Sequence, residues 1–113
     1  MNKVSVINTI SVPEGMESDA EEVREVYVEY FSKQEGFVES IFYKSIEREQ
    51  DGSIKYVNIV VWESIEAFDR VVNAGFYNED GQNLDGYKVL GKGFPEPIKV
   101  SPGRYISINK NHA

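Results

Sequence analysis

Between Val4 and Val12 the chain alternates. Val4, Val6, Ile10 and Val12 fall on one face, and Ser5, Ile7, Thr9 and Ser11 on the other. A period of two predicts a strand. Asn8 falls on the first face, alone among apolar neighbours, and Pro13 ends the strand. The period then lengthens. Val23, Val26, Tyr27, Tyr30 and Phe31 recur at helical spacing and predict one apolar stripe. Glu21, Glu22, Arg24, Glu25 and Glu29 are read as its wet side. Ser18-Asp19-Ala20-Glu21 has the form of a capping box, and a start as early as Glu14 also fits. Gly36 stops the helix.

A second strand is expected from Phe37 to Ile46, with Phe37, Ile41 and Tyr43 on one face and Val38, Phe42 and Ile46 on the other. Asp51-Gly52 is a hairpin signal, so the third strand should run back antiparallel to the second. That strand ends at Trp62 and carries Asn58 in an otherwise apolar run. Ser64 is placed to cap a second helix over about Ile65 to Asn73, with Ile65, Phe68 and Val72 facing the sheet. Glycines and prolines break residues 75–103, where a short helix near Asn83–Leu90 fits. A last strand is expected at Tyr105–Asn109.

The order β-α-β-β-α-β predicts an α+β fold. It is the ferredoxin-like split βαβ, an antiparallel sheet with both helices on one face. Residues 1–113 make a single domain, with 75–103 as an irregular insertion before the last strand. The third strand is apolar on both faces: Val57, Ile59 and Val61 on one, Tyr56, Val60 and Trp62 on the other. Two helices cover only one side of a sheet. A second copy of the same sheet is the economical cover for the other, so a homodimer through sheet-to-sheet packing is expected.

Composition narrows the function. The formal net charge is −7, which disfavours nucleic acid as a partner. The charge is uneven: eleven acids and four bases from Glu14 to Glu49, then five bases and one acid from Lys88 onward. No apolar run is long enough for a membrane span. No signal-peptide pattern and no cysteine are present, which fits a cytoplasmic location. One histidine, His112, and scattered carboxylates give no metal-ligand spacing, and no nucleophile–base pair stands out. Gly91-Lys92-Gly93 is too short for a phosphate loop. Glu63 and Glu66 suit a helix start, and Arg70 and Arg104 suit surface ion pairs.

The β-α-β-β-α-β order, the Gly36-Phe37-Val38 opening of the second strand and the run Trp62-Glu63-Ser64-Ile65-Glu66-Ala67-Phe68 together resemble the antibiotic biosynthesis monooxygenase (ABM) domain family. The likeness covers residues 4–76 and, more loosely, the tail. It implies a dimeric α+β barrel. Members include cofactor-free oxygenases, in which a deprotonated aromatic or quinone-type substrate itself reduces oxygen, and haem-degrading enzymes.

For a cofactor-free enzyme the resemblance implies Asn58 and Trp62 as the catalytic pair. They lie four residues apart on one strand face. The amide would hold a substrate oxygen, and the indole N–H would donate to an oxyanion. Asn8, Tyr27, Tyr30 and Phe68 are the expected substrate-binding residues, with no cofactor and no metal. A plainer reading makes Trp62 an anchor of the strand–helix corner and Asn58 a partner for a nearby backbone group. Haem-degrading relatives pair the first-strand asparagine with a helix tryptophan and a histidine. The corresponding positions here are near Val71 and Gly81, which supply neither group. The alternatives are therefore a non-catalytic dimeric module that binds a small ligand and, more weakly, a haem-degrading relative without its Trp and His.

Overall fold

The computed structural model describes residues 3–71 and 94–111. Strand β1 (Val4–Val12), helix α1 (Glu17–Ser32), strands β2 (Phe37–Arg48) and β3 (Ile54–Trp62), helix α2 (Ile65–Val71) and strand β4 (Lys99–Ile106) follow in that order. The strands form one sheet, β2-β3-β1-β4, antiparallel at every step. This is the ferredoxin-like arrangement that the sequence predicts.

Alternation along β3 sets the core. Ile54, Tyr56, Asn58, Val60 and Trp62 are buried, while Val57, Ile59 and Val61 on the other face are half-buried. On β1, Val4, Val6, Ile10 and Val12 share the buried side. The buried side chains form two apolar clusters. One joins Val4, Val6, Val60 and Trp62 to Ala67, Phe68 and Val71 of α2. The other joins Ile10, Val12, Ile54 and Tyr56 to Ala20 of α1 and to Ile98. Each large apolar side chain so buried contributes about 1.5–3 kcal/mol.

Local chemistry closes the connections. Asp51 Oδ1 accepts from Ser53 N at 2.9 Å and from Ser53 Oγ at 2.6 Å, and Gly52 takes φ 85°, making the β2–β3 turn. Ser64 Oγ accepts from Ala67 N at 3.1 Å and caps α2.

Four expectations change. Helix α1 begins at Glu17, and its N-cap, Met16, makes no side-chain cap bond, so Ser18 lies inside the helix rather than capping it. Glu17 ties down this end instead. It accepts from Gly15 N at 2.7 Å and from Arg48 Nη2 at 3.0 Å, and Arg48 holds its carboxyl below the ordinary range. In β2 a register shift between Phe37 and Glu39 turns Phe37 to the helix side, opposite Trp62, away from Ile41 and Tyr43. A second shift beyond Lys44 leaves Ile46 98% exposed instead of packed beside Phe42. The last strand starts earlier than expected and includes Pro102 and Gly103, because β4 is an edge strand that tolerates proline. The expected end of the second helix at Val72 and Asn73, the short helix near 83–90, the 91–93 glycine pair, Gly81 and His112 lie outside the described residues.

Gly36, between α1 and β2, packs tightly against α2. Its φ is 94°, and a Cβ there would stand 2.5 Å from Ala67 Cβ. Its carbonyl accepts from Glu63 N at 2.8 Å. Gly36→Ala should therefore lower stability by more than about 1 kcal/mol. Urea unfolding of the variant should show an earlier midpoint at an unchanged slope.

Candidate functional site

The β1–β3 register places Asn8 directly opposite Asn58 on the face that the helices cover. The two amides fall at the seam between the apolar clusters, with Val6 and Val60 on one side and Ile10 and Tyr56 on the other.

Helix α1 completes the seam with Arg24, which is 8% exposed. Arg24 Nε donates to Asn58 Oδ1 at 3.0 Å, and the guanidinium lies 4.7 Å over the Phe42 ring. Phe42 is the β2 partner of Asn58. Nη1 reaches Glu25 at 3.3 Å, but that carboxylate side chain is 74% exposed. Burial pulls the Arg24 guanidinium below its usual pKa, and Glu25 partly restores it.

Placing Arg24 on the wet side of α1 was the expectation, and burial overturns it. Ala20, Arg24, Tyr27 and Phe31 recur at helical spacing toward the sheet, while Val26 is 51% exposed. The signal available in the sequence was the lone polar position Asn58, which needs a donor from the helix above it.

Arginine carries only donors, so the Asn58 atom that meets Nε is the carbonyl oxygen. The Asn58 Nδ2 group then has no acceptor among the described residues. Asn8 Oδ1 is buried without a donor among the described residues. Among these residues the seam thus holds one unused acceptor and one unused donor on opposite strands.

The other candidates gather on the Val60 side. Trp62 is 1% exposed and meets Phe31, Phe37 and Phe68 edge-on at centroid distances of 5.8, 5.9 and 6.2 Å. Tyr27 and Tyr30 pack on the same cluster, and Phe68 is buried within it. Arg104 of β4 lies 6.0 Å over the Phe68 ring and 3.7 Å from Asp69, the ion pair expected for it. The six candidate residues therefore share the helix-covered side of the sheet. Val71, near the helix position that bears a tryptophan in haem-degrading relatives, is a buried core residue.

On the other side of the seam, Tyr56 is 1% exposed and donates to Glu21 at 2.6 Å. Burial first, and then that carboxylate, push its phenol well above the ordinary range, so it stays protonated. A depression of about 580 Å³ lies against α1 at Ser18, Glu21, Glu22, Glu25 and Val26, and its described lining includes none of the six. Among the described residues no cluster of His, Cys, Asp and Glu is able to hold a metal ion, and no helix is long and apolar enough to cross a membrane.

An unpaired buried carbonyl is destabilising in the ligand-free protein. Asn8→Leu should raise the stability of the ligand-free protein by about 1 kcal/mol. A thermal-unfolding midpoint below that of wild type would contradict this.

Comparison with known proteins agrees with the fold. Curated proteins give no significant match. Several solved structures match along nearly the whole chain. SnoaB, a cofactor-independent oxygenase from Streptomyces nogalater, is 23% identical with TM-score 0.65, covering 97% of each chain. A putative monooxygenase from Shewanella loihica is 19% identical with TM-score 0.65, covering 96% of this chain and 97% of its own. A haem-degrading protein from Mycobacterium tuberculosis is 20% identical with TM-score 0.64, covering 99% and 98%. At these identities the likeness is one of fold. The sequence profile described as antibiotic biosynthesis monooxygenase matches residues 3–77, two-thirds of the chain, and the chain belongs to that family.

Proposed function

We propose that this protein is a cofactor-independent monooxygenase acting on a small aromatic or quinone-type substrate held between the sheet and the helices. The observation that carries this reading is the seam. Asn8 Oδ1 and Asn58 Nδ2 offer an acceptor and a donor without partners among the described residues, in a largely apolar surround. Membership of a monooxygenase family supports it, as does a fold shared with a cofactor-independent oxygenase.

An activated CH2 between aromatic rings ionises to an enolate-like carbanion. The carbanion gives its electrons to oxygen; one oxygen atom becomes the new carbonyl, and the other leaves as water with the two substrate hydrogens. The protein's task is to stabilise the oxyanion, and Asn58 Nδ2 is the donor for it. Trp62 shapes the apolar wall on the same strand face.

The dense aromatic packing of Trp62 favours a second reading, a dimeric module that binds a small ligand without turning it over. Oxygen uptake with anthrones or hydroquinones separates the two. The enzyme reading expects uptake that falls about 100-fold in Asn58→Ala and clearly in Trp62→Phe. Uptake unchanged by either substitution would remove this site. No uptake with any electron-rich substrate would leave the binding module.

The reading includes a homodimer through the other face of the sheet. There Ile41 and Tyr43 are 41% and 53% exposed beside half-buried Val57, Ile59 and Val61. An uncovered apolar face of this kind fits a second copy of itself. Sedimentation at micromolar concentration should give twice the chain mass, and Ile59→Lys should give one. A monomeric wild type would overturn the dimer.

A further inference from the structure

We infer that Arg24 is the positioning residue of the site: its Nε–H fixes the Asn58 carboxamide with the NH2 group turned toward the ligand. The inference rests on the reading that a ligand occupies the seam, and it adds a residue from α1 to a site otherwise drawn from the sheet.

An asparagine amide is able to present either its oxygen or its nitrogen to a given direction. Catalysis of the proposed kind needs the nitrogen facing the developing oxyanion, in every molecule, before substrate arrives. Nothing along β3 enforces that choice, because the strand neighbours of Asn58 are Val57 and Ile59 and its β1 partner is another asparagine. The Arg24 Nε–H at 3.0 Å does enforce it, since that donor accepts no bond in return.

The guanidinium is itself held. It lies on the Phe42 ring at 4.7 Å, and Phe42 in turn stacks on Tyr56 at 5.0 Å. Both aromatic residues flank Asn58: Phe42 is its β2 partner, and Tyr56 lies two residues back along β3. A buried cation whose only acid contact among the described residues is an exposed Glu25 is an expensive way to satisfy one amide oxygen. A neutral hydroxyl or amide would satisfy that oxygen but could equally accept from Nδ2, so a side chain that only donates is explained by orientation rather than by satisfaction of the carbonyl.

Two substitutions test the role. Lys keeps a group that only donates; Met places a methyl group at the position of Nε. Both variants are first shown to be folded by circular dichroism. The direct readout is ¹⁵N relaxation of the Asn58 side-chain NH2 in the protein without ligand. It should be rigid in wild type and Arg24→Lys, and mobile in Arg24→Met. The second readout is the affinity for 1,8-dihydroxyanthraquinone, followed by its visible band. Arg24→Met should weaken binding about tenfold, the size of one hydrogen bond, and Arg24→Lys should stay within about twofold of wild type. Combining Arg24→Met with Asn58→Ala should add nothing beyond Asn58→Ala alone. An equally rigid amide in Arg24→Met, or losses that simply multiply in the double variant, would overturn the inference. If wild type binds no such quinone, the proposed ligand class falls, while the relaxation result still decides the role of Arg24.

Discussion

Nine consecutive residue pairs between β1 and β3, from Val4 with Trp62 to Val12 with Ile54, fix everything that follows. Strand side chains alternate, so a slip of one residue would exchange the two faces of the sheet. The apolar residues of both strands resist that slip, because their buried side chains would be driven outward. The two asparagines have no such preference of their own. They are carried to the interior, face to face, by the valines and isoleucines around them.

The result is a core in two halves with a polar seam between them. On α1 the seam is met by Arg24, and on β2 by the ring of Phe42. The halves are closed differently. Around Trp62, α2 is held near the sheet by the Ser64 cap and by the tight approach of Gly36 to Ala67. Around Tyr56, the closure is by the Glu21 contact to its hydroxyl, with Arg48 linking the start of α1 to the hairpin turn. A domain of this size carries little surplus stability, and a polar break in its middle is a sizeable fraction of it.

Much of this was legible in the chain. Trp62 followed by Ser64 marks the strand–helix junction, and Asp51-Gly52 marks the hairpin; both are local signals with local causes. Asn8 and Asn58 stood out because each interrupts an apolar face, and the register then made them neighbours. Arg24 was misread because charged residues on an amphipathic helix nearly always face water. Its burial depends on a partner from another element, which helical periodicity cannot reveal. Phe37 was assigned to the wrong face because a bulge adds a residue without any composition signal. Pro102 hid the start of β4 because proline excludes a central strand but not an edge one.

The hydrogen bond between Arg24 and Asn58 also constrains how this protein is able to drift. Losing the arginine first strands an amide oxygen in the core; losing the asparagine first strands a cation. Each single step passes through a less stable intermediate, although the two positions lie 34 residues apart in the chain. They are therefore expected to change together. Relatives that carry a different residue at one position should carry a compensating change at the other, which would make the pair a mark of descent within the family, separate from any one reaction.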